Sequence, residues 1–152
     1  ADFTSLGTYN THLFTYNDLR LHDNRDLELR VFVGGSIVDS GTAYERARQL
    51  GNSNGSFSED FDNDMHTLKL SGQNGENTGE TTNGFIWMHN AVSNSDNTYI
   101  TWMNTQQIYS GYYEMSFGQG KYSADDTLTG IRFYPSSADF NSGEISLYGL
   151  AE

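Results

Sequence analysis

The sequence predicts an all-β fold, an antiparallel β-sandwich that is jelly-roll-like, and three observations lead to this prediction. Aromatic residues, which favour strands, make up 14% of the chain, with 10 Tyr and 9 Phe. The 16 Gly residues and the many Asn, Ser and Asp residues supply turns between short strands. Helical periodicity is weak throughout, and short strands without intervening helices favour antiparallel pairing over a parallel sheet.

The length of 152 residues suits one domain spanning 1–152. A domain of this size buries roughly 68–70% of its unfolded surface, so its core needs no disulfide or metal. The chain has no cysteine, which excludes a disulfide scaffold, thiol catalysis and cysteine-ligated metal sites.

The first strands have the clearest patterns. An aromatic-rich strand is predicted over 11–19, and a turn follows at 22–25. Residues 26–33 then alternate apolar and polar side chains, the pattern of a half-buried strand, which Gly34 and Gly35 end. Further strands are predicted over 36–40, 42–49, 65–70, 84–90, 98–104, 113–117, 128–134 and 144–148.

Three polar segments separate these strands and are predicted to be loops, at 51–64, 72–83 and 91–97. The second is nearly free of apolar groups, and we expect it to be disordered or ordered by a partner.

Segment 42–50 also fits a short helix, so its pattern leaves helix or strand open. Pro135 ends a strand because it cannot donate to a ladder, and the last two strands are predicted to form a hairpin or a pair joined across one edge.

The charge balance bears on the partners of the protein. The chain has 8 Lys and Arg against 20 Asp and Glu, a net charge of −12 at pH 7, so nucleic acid and anionic membrane surfaces repel it. Its longest apolar run, 85–88, is too short to span a bilayer, and no signal-peptide pattern opens the chain. We therefore predict no nucleic-acid partner and no membrane insertion. The acidity is expected to serve solubility, with a bound cation or a basic partner as the alternative.

The motifs of catalytic sites are weak in this chain. The histidines are spread along it, and no Gly-x-Ser-x-Gly elbow accompanies them. Twenty acidic residues always provide carboxylate pairs, so their number does not indicate a glycosidase. The sequence predicts that the protein is not an enzyme, with a hydrolase as the lesser alternative.

One acidic segment has the beginning of a calcium-loop pattern. Asp60, Asp62 and Asp64 place carboxylates at every second residue. Met65 stands where an EF-hand needs Gly, and Ser71 stands where it needs a bidentate Glu. We therefore favour a solvated loop and no cofactor, and keep a calcium site of another kind as the alternative.

A second segment has the composition of a binding surface, with rigid aromatic rings beside adaptable polar groups. Tyr rings can stack on the C–H face of a sugar while amide groups bond its hydroxyls. Trp87 and Trp102 fall inside strands and are predicted to fill the core instead. The residues predicted to bind a ligand or to lie at a protomer interface are Gln106, Gln107, Tyr109, Tyr112 and Tyr113.

The two ends of the chain resemble a known family. Residues 129–137 contain Ile-Arg-Phe-Tyr-Pro-Ser-Ser, and residues 140–150 contain Ser-Gly-Glu-Ile-Ser-Leu-Tyr-Gly-Leu. They resemble the C-terminal signature of small phage and prophage virion structural proteins of the tail-fibre or decoration type, which usually have Thr at the position of Glu144. Residues 2–6, Asp-Phe-Thr-Ser-Leu, and the segment 39–44 are similar to the same family. The long polar loops are not covered.

This resemblance implies a jelly-roll sandwich in a phage virion and offers no catalytic residues. The expected function is that of a non-enzymatic bacteriophage virion surface protein, a tail-fibre or receptor-binding module that recognises host surface glycans. A capsid decoration (cement) protein that stabilises the phage head is the first alternative, and a secreted glycan-binding module is the second. Expected partners are other virion proteins and a host glycan. A homo-oligomer is expected, with a trimer as the favoured form, because several weak binding sites on one assembly give a higher overall affinity.

Overall fold

The computed structural model describes residues 1–137 and 139–151, and β-strands are the only regular secondary structure in these residues. No helix in this part of the chain is long and apolar enough to cross a membrane. The strands are β1 (Asp2–Phe3), β2 (Thr11–Leu21), β3 (Leu27–Val33), β4 (Ser36–Ile37), β5 (Tyr44–Asn52), β6 (Phe57–Met65), β7 (Leu68–Lys69), β8 (Thr82–His89), β9 (Thr98–Gln107), β10 (Tyr113–Tyr122), β11 (Leu128–Pro135) and β12 (Phe140–Leu150).

The strands form two antiparallel sheets that pack face to face. The larger sheet has seven strands in the order β12-β2-β8-β9-β10-β5-β6. The smaller sheet has the order β1-β11-β3-β4, and β7 also pairs with β3. The predicted all-β antiparallel sandwich is confirmed.

The three outer strand pairs wind as in a jelly roll, whereas the innermost pair, β8 with β9, stays in the larger sheet. Strand β2 pairs with β12 in the larger sheet, β3 pairs with β11 in the smaller sheet, and β5 pairs with β10 back in the larger sheet. The two halves of the chain therefore pair in a nested way while alternating between the sheets. The first and last long strands lie side by side.

The hydrophobic core lies between the two sheets and is built from alternate residues of their strands. Phe14 and Tyr16 of β2 and Phe133 of β11 are fully buried there. Trp102 of β9 is also buried, and its indole N–H donates a hydrogen bond of 2.9 Å to the carbonyl oxygen of Leu70. The prediction that Trp102 fills the core is confirmed.

The predicted loop 51–64 is wrong, because most of it is strand β6. This strand is polar since it lies at the edge of the larger sheet, paired only with β5, and both of its faces reach solvent. Segment 42–50, left open between helix and strand, lies mainly in β5.

The predicted pairing of the last two strands is also wrong, since β11 lies in the smaller sheet and β12 in the larger one. Segment 72–83 is more ordered than expected. Asn74 is fully buried and bridges to Ile108, and the Gly75 N–H donates a 3.1 Å hydrogen bond to the carbonyl of Gln107. Backbone pairing therefore holds this polar segment against the sandwich without apolar side chains.

Candidate functional site

Strand β9 shows how the larger sheet separates two environments. Its even-numbered residues from 100 to 106 are buried against the smaller sheet, whereas its odd-numbered residues from 99 to 105 are exposed. Side chains of successive strand residues point to opposite faces. Register partners on neighbouring strands point to the same face, so the alternation seen in β9 extends to β8 and β10. The outer face of the sheet is therefore a separate surface with its own composition.

The outer face of the larger sheet is rich in aromatic rings, and we call it the aromatic face. Tyr99 is 50% exposed and Phe61 is 80% exposed, although large apolar side chains are normally withdrawn from water. Contiguous exposed apolar surface of this kind marks interaction sites. The aromatic face is formed by Phe61 of β6, Phe85 and Trp87 of β8, Tyr99 of β9 and Phe117 of β10.

The prediction that Trp87 belongs to the core is wrong. Its strand neighbours Ile86 and Met88 are buried, so Trp87 points to the opposite face and is half-buried there. Its register partners Leu13 and Thr101 lie on the same outer face. Because residues 85–88 are all apolar, alternation along the sequence does not indicate which face of the sheet Trp87 occupies.

A depression crosses the aromatic face where the side chains are short, and we call it the trough. One register row runs from Thr101 of β9 through Gln119 of β10 and Ala47 of β5 to Phe61 of β6. The first three residues of this row are exposed, and Thr101 and Ala47 are small, so the rings around them rise above the floor. Small side chains among aromatic ones thus create a concave surface on a sheet.

The trough consists of two adjoining cavities that share this row of residues. The first, of about 490 Å³, extends to Tyr99 and Lys121. The second, of about 440 Å³, extends to Phe117 and Gln49. Because Lys121 and Phe117 lie on the same strand, the trough runs along the direction of β5 and β10, over about 14 Å at 3.4 Å per residue. Both cavities have the size of small-ligand sites.

Two glycines fix the strand below the trough. A Cβ at Gly118 would lie 2.5 Å from Cζ2 of Trp102, and a Cβ at Gly120 would lie 2.7 Å from Cδ2 of Leu68. At these two positions strand β10 therefore lies so close to the core that there is no space for a side chain. This packing holds the outward residues of β10 in a defined position.

The rim of the trough is acidic. The Lys121 ammonium lies 3.0 Å from Oε1 of Glu45, so this cation is already paired. Glu59 and Asp62 of β6 are exposed beside the two cavities. The polar groups that the floor offers without a formal charge are the Thr101 hydroxyl and the Gln119 amide.

Asp60, the first of the three aspartates with calcium-loop spacing, is committed to an ion-pair network on the inner side of β5 and β6. Its carboxylate lies 2.8 Å from a guanidinium nitrogen of Arg46 and 2.7 Å from one of Arg48. Burial raises the pKa of Asp60, but the hydrogen bonds and charges of the two arginines lower it by more than burial raises it. The net pKa of Asp60 is therefore below its usual value. Asp62 accepts a 3.1 Å hydrogen bond from the Asp64 backbone N–H.

This arrangement suits two arginines rather than a divalent cation, because a carboxylate neutralised by guanidinium groups is a poor calcium ligand. Within residues 1–137 and 139–151, one group of three potential metal ligands converges, formed by His22, Asp23 and Glu76. All three are exposed, and the His22 ring lies 2.8 Å from the Asp23 carboxylate.

The five residues predicted to bind a ligand are divided by the structure. Tyr109 and Tyr112 are exposed in the turn between β9 and β10, where the Ile108 N–H donates to the Tyr112 carbonyl at 3.0 Å. Tyr113 is 68% exposed and pairs with Gln107 at the start of β10, on the same side of that strand as Phe117.

Gln106 lies on the opposite side of the sheet and is buried, so its predicted role as a surface contact is wrong. Its amide nitrogen donates a 2.7 Å hydrogen bond to Glu114. Burial raises the pKa of Glu114, although Arg48, the Gly72 N–H and the Gln106 amide favour its charged form. The neighbouring residue Gln107 points to the opposite face of the sheet and is half-buried.

Comparisons with known proteins give no further guide to this site. The chain matches no protein-family model, and neither a curated protein nor a solved structure is significantly similar to it.

Proposed function

We propose that the protein is a non-enzymatic surface protein of a bacteriophage virion, a tail-fibre or receptor-binding module that recognises host surface glycans. The observation that carries this proposal is the aromatic face, which presents exposed rings around a trough with a polar floor. The resemblance of both chain ends to phage virion proteins supplies the biological setting.

The groups at the trough favour binding over chemistry. Tyr99 and Phe61 offer flat apolar surfaces, while Thr101 and Gln119 offer a hydroxyl and an amide. Aromatic rings with a few polar groups are the composition of sites that hold a ligand by stacking and hydrogen bonds. The carboxylate of Glu45 is engaged with Lys121 at 3.0 Å, an arrangement that suits structure more than acid–base catalysis.

The proposed setting is the virion surface, with other virion proteins as partners and a homo-oligomer, preferably a trimer, as the assembled form. A single shallow site of this kind gives weak affinity, and several copies on one particle convert weak sites into strong attachment. The acidic surface, with a net charge of −12, keeps such particles apart and soluble.

An array of bacterial surface polysaccharides tests glycan recognition directly. The wild-type protein is expected to bind a subset of the array, and Tyr99→Ala combined with Phe61→Ala is expected to lower that binding at least tenfold. The matched control is Tyr109→Ala combined with Tyr112→Ala, which removes two exposed rings away from the trough. Binding that is lost in the control and retained in the trough variant would move the site to the turn between β9 and β10.

A capsid decoration protein is the second candidate, and one observation favours it. Phe57 and Phe61 are 79% and 80% exposed on the edge strand β6, more than a glycan site alone requires. Such rings act as anchors in protein interfaces. Counting the protein in purified virions separates the two functions, because hundreds of copies indicate decoration and a few copies indicate a fibre.

A further inference from the structure

We propose that the trough binds a neutral oligosaccharide that runs along strands β5 and β10, with Tyr99, Phe61 and Phe117 stacking on successive sugar rings. This inference rests on the proposed function and specifies its ligand class and its binding residues. It moves the site away from the Tyr109–Tyr112 turn that the sequence indicated.

The shape of the trough fits a chain of sugars. Its two cavities, of about 490 and 440 Å³, adjoin along the strand direction and share the floor of Ala47, Thr101 and Gln119. A long shallow path of this kind accommodates several linked rings, whereas a single ring would fill one cavity. The path continues along the outer side of β10 toward Tyr113, eight residues and about 27 Å from Lys121.

The chemistry of the trough fits pyranose rings. Tyr99 and Phe61 are exposed on either side of the floor, and Phe117 stands at the far end of the second cavity. An aromatic face is complementary to the apolar C–H face of a sugar. The Thr101 hydroxyl and the Gln119 amide, exposed between the rings, can bond to sugar hydroxyls, which both donate and accept.

The charge around the trough determines the class of glycan. Glu59 and Asp62 are exposed on one side, and Lys121 is already paired with Glu45. The other two cations of the lining, Arg46 and Arg48, are buried and share the carboxylate of Asp60. An anionic polysaccharide would therefore meet the exposed carboxylates and the net charge of −12, with no exposed and unpaired cation in the lining of the two cavities to bind it. A second copy of the protein would present the same acidic rim, so like charges disfavour it as the occupant.

Titration with defined oligosaccharides, followed by NMR and calorimetry, tests this inference. The probes are cellohexaose, maltohexaose and chitohexaose as neutral chains and a galacturonate hexamer as the acidic one. The two indole N–H signals serve as internal reporters. Trp87 lies on the aromatic face, whereas Trp102 is buried and bonded to the Leu70 carbonyl, so only the Trp87 signal is expected to shift.

The decisive variant is Ala47→Trp, which fills the floor from an exposed position and leaves the core untouched. It is expected to weaken binding of the neutral chain at least tenfold, and Gln119→Ala is expected to weaken it severalfold. Tyr109→Ala combined with Tyr112→Ala is expected to bind like the wild type.

Each other outcome is informative. If a neutral chain binds equally to wild type and to Ala47→Trp, the trough is not the site, while glycan recognition itself stands. Preference for the galacturonate hexamer overturns the neutral class alone. If neither this panel nor the polysaccharide array is bound, the inference and the proposed function fall together.

Discussion

The two faces of the larger sheet use the same strands for different purposes. On the inner face, Trp102 is 1% exposed, packs over Gly118 and donates its indole N–H to the protein backbone. On the outer face, Trp87 sits one strand away, half-buried among other exposed rings. The same residue type is thus part of the core on one side and part of a presented surface on the other.

This contrast shows that the face of the sheet to which a side chain points, more than its chemical type, decides whether the residue belongs to the core or to the surface. Inner-face residues are expected to contribute to the free energy of unfolding, and outer-face residues are proposed to contribute to ligand binding. Substitutions on the two faces should therefore separate stability from recognition, and the following predictions test that separation.

The largest effect is expected for Trp102→Ala. Removing this ring leaves a cavity between the sheets, so the free energy of unfolding should fall by about 3–5 kcal/mol. The matched substitution Trp87→Ala should cost no more than about 1.5 kcal/mol, because this side chain is only half-buried. Urea denaturation followed by circular dichroism measures both, and equal losses would contradict the contrast.

A loss of about 2–3 kcal/mol is expected for Asp60→Ala. The substitution leaves the buried Arg46 and Arg48 without their shared carboxylate. The value lies below that of a fully buried pair, since Asp60 is about one-third exposed. Asp64→Ala, at an exposed carboxylate of the same strand, is the control and should change stability by less than about 0.5 kcal/mol.

Asp60 also gives a pH dependence with a defined sign. Its pKa is lowered in the folded protein, so its stabilising effect is present above the ordinary carboxyl pKa of 3.8 and is lost as the pH falls through the lowered value. The wild type should therefore lose more stability than Asp60→Asn between pH 5 and pH 2. Parallel thermal melts across that range would reject this role if the two curves fell equally.

A loss of about 1–3 kcal/mol is expected for Gly118→Ala, since the new methyl group would overlap Trp102 and the carbonyl of Ala47. Gly41→Ala is the control, because a Cβ there meets no atom within 4 Å. Thermal melts compare the two variants. A neutral Gly118→Ala would show that β10 can move away from the core, which would also loosen the trough.

Much of the fold could be predicted from the sequence, because alternation along single strands is a local signal. The strands from β2 to β3 and from β8 to β11 lie close to their predicted positions. Strand β6 was missed because an edge strand that is polar on one face and carries isolated Phe residues on the other has the composition of a loop. Which strands pair depends on residues far apart in the sequence, and local alternation does not report it. For this reason the predicted pairing of β11 with β12 was wrong.

The candidate site was less accessible to prediction. Of the residues predicted to bind a ligand, Tyr113 is 68% exposed and Gln107 is half-buried. The trough depends instead on Ala47, Thr101 and Gln119, three residues from three strands. Only the register between strands brings them together. Neighbouring residues of β9 also point to opposite faces, so Gln106 is fully withdrawn into the protein whereas Gln107 is half-buried on the outer face.

The smallest effect on stability is expected for Phe61→Ser. This ring is 80% exposed, so the free energy of unfolding should change by about 0.5 kcal/mol or less. Glycan binding should nevertheless fall, and the protein should bind less of an apolar dye. A stability loss comparable to that of Trp102→Ala would mean that the outer rings belong to the core after all.

Strand β6 has one further consequence, which concerns the behaviour of concentrated solutions. Its outer edge is unpaired in the described structure and carries Glu59, Asp60, Asp62 and Asp64. At neutral pH these charges prevent another chain from adding to the open edge. In acid the same edge becomes an uncharged template flanked by two exposed Phe rings, so fibril growth and turbidity should begin in acid, from this side of the molecule.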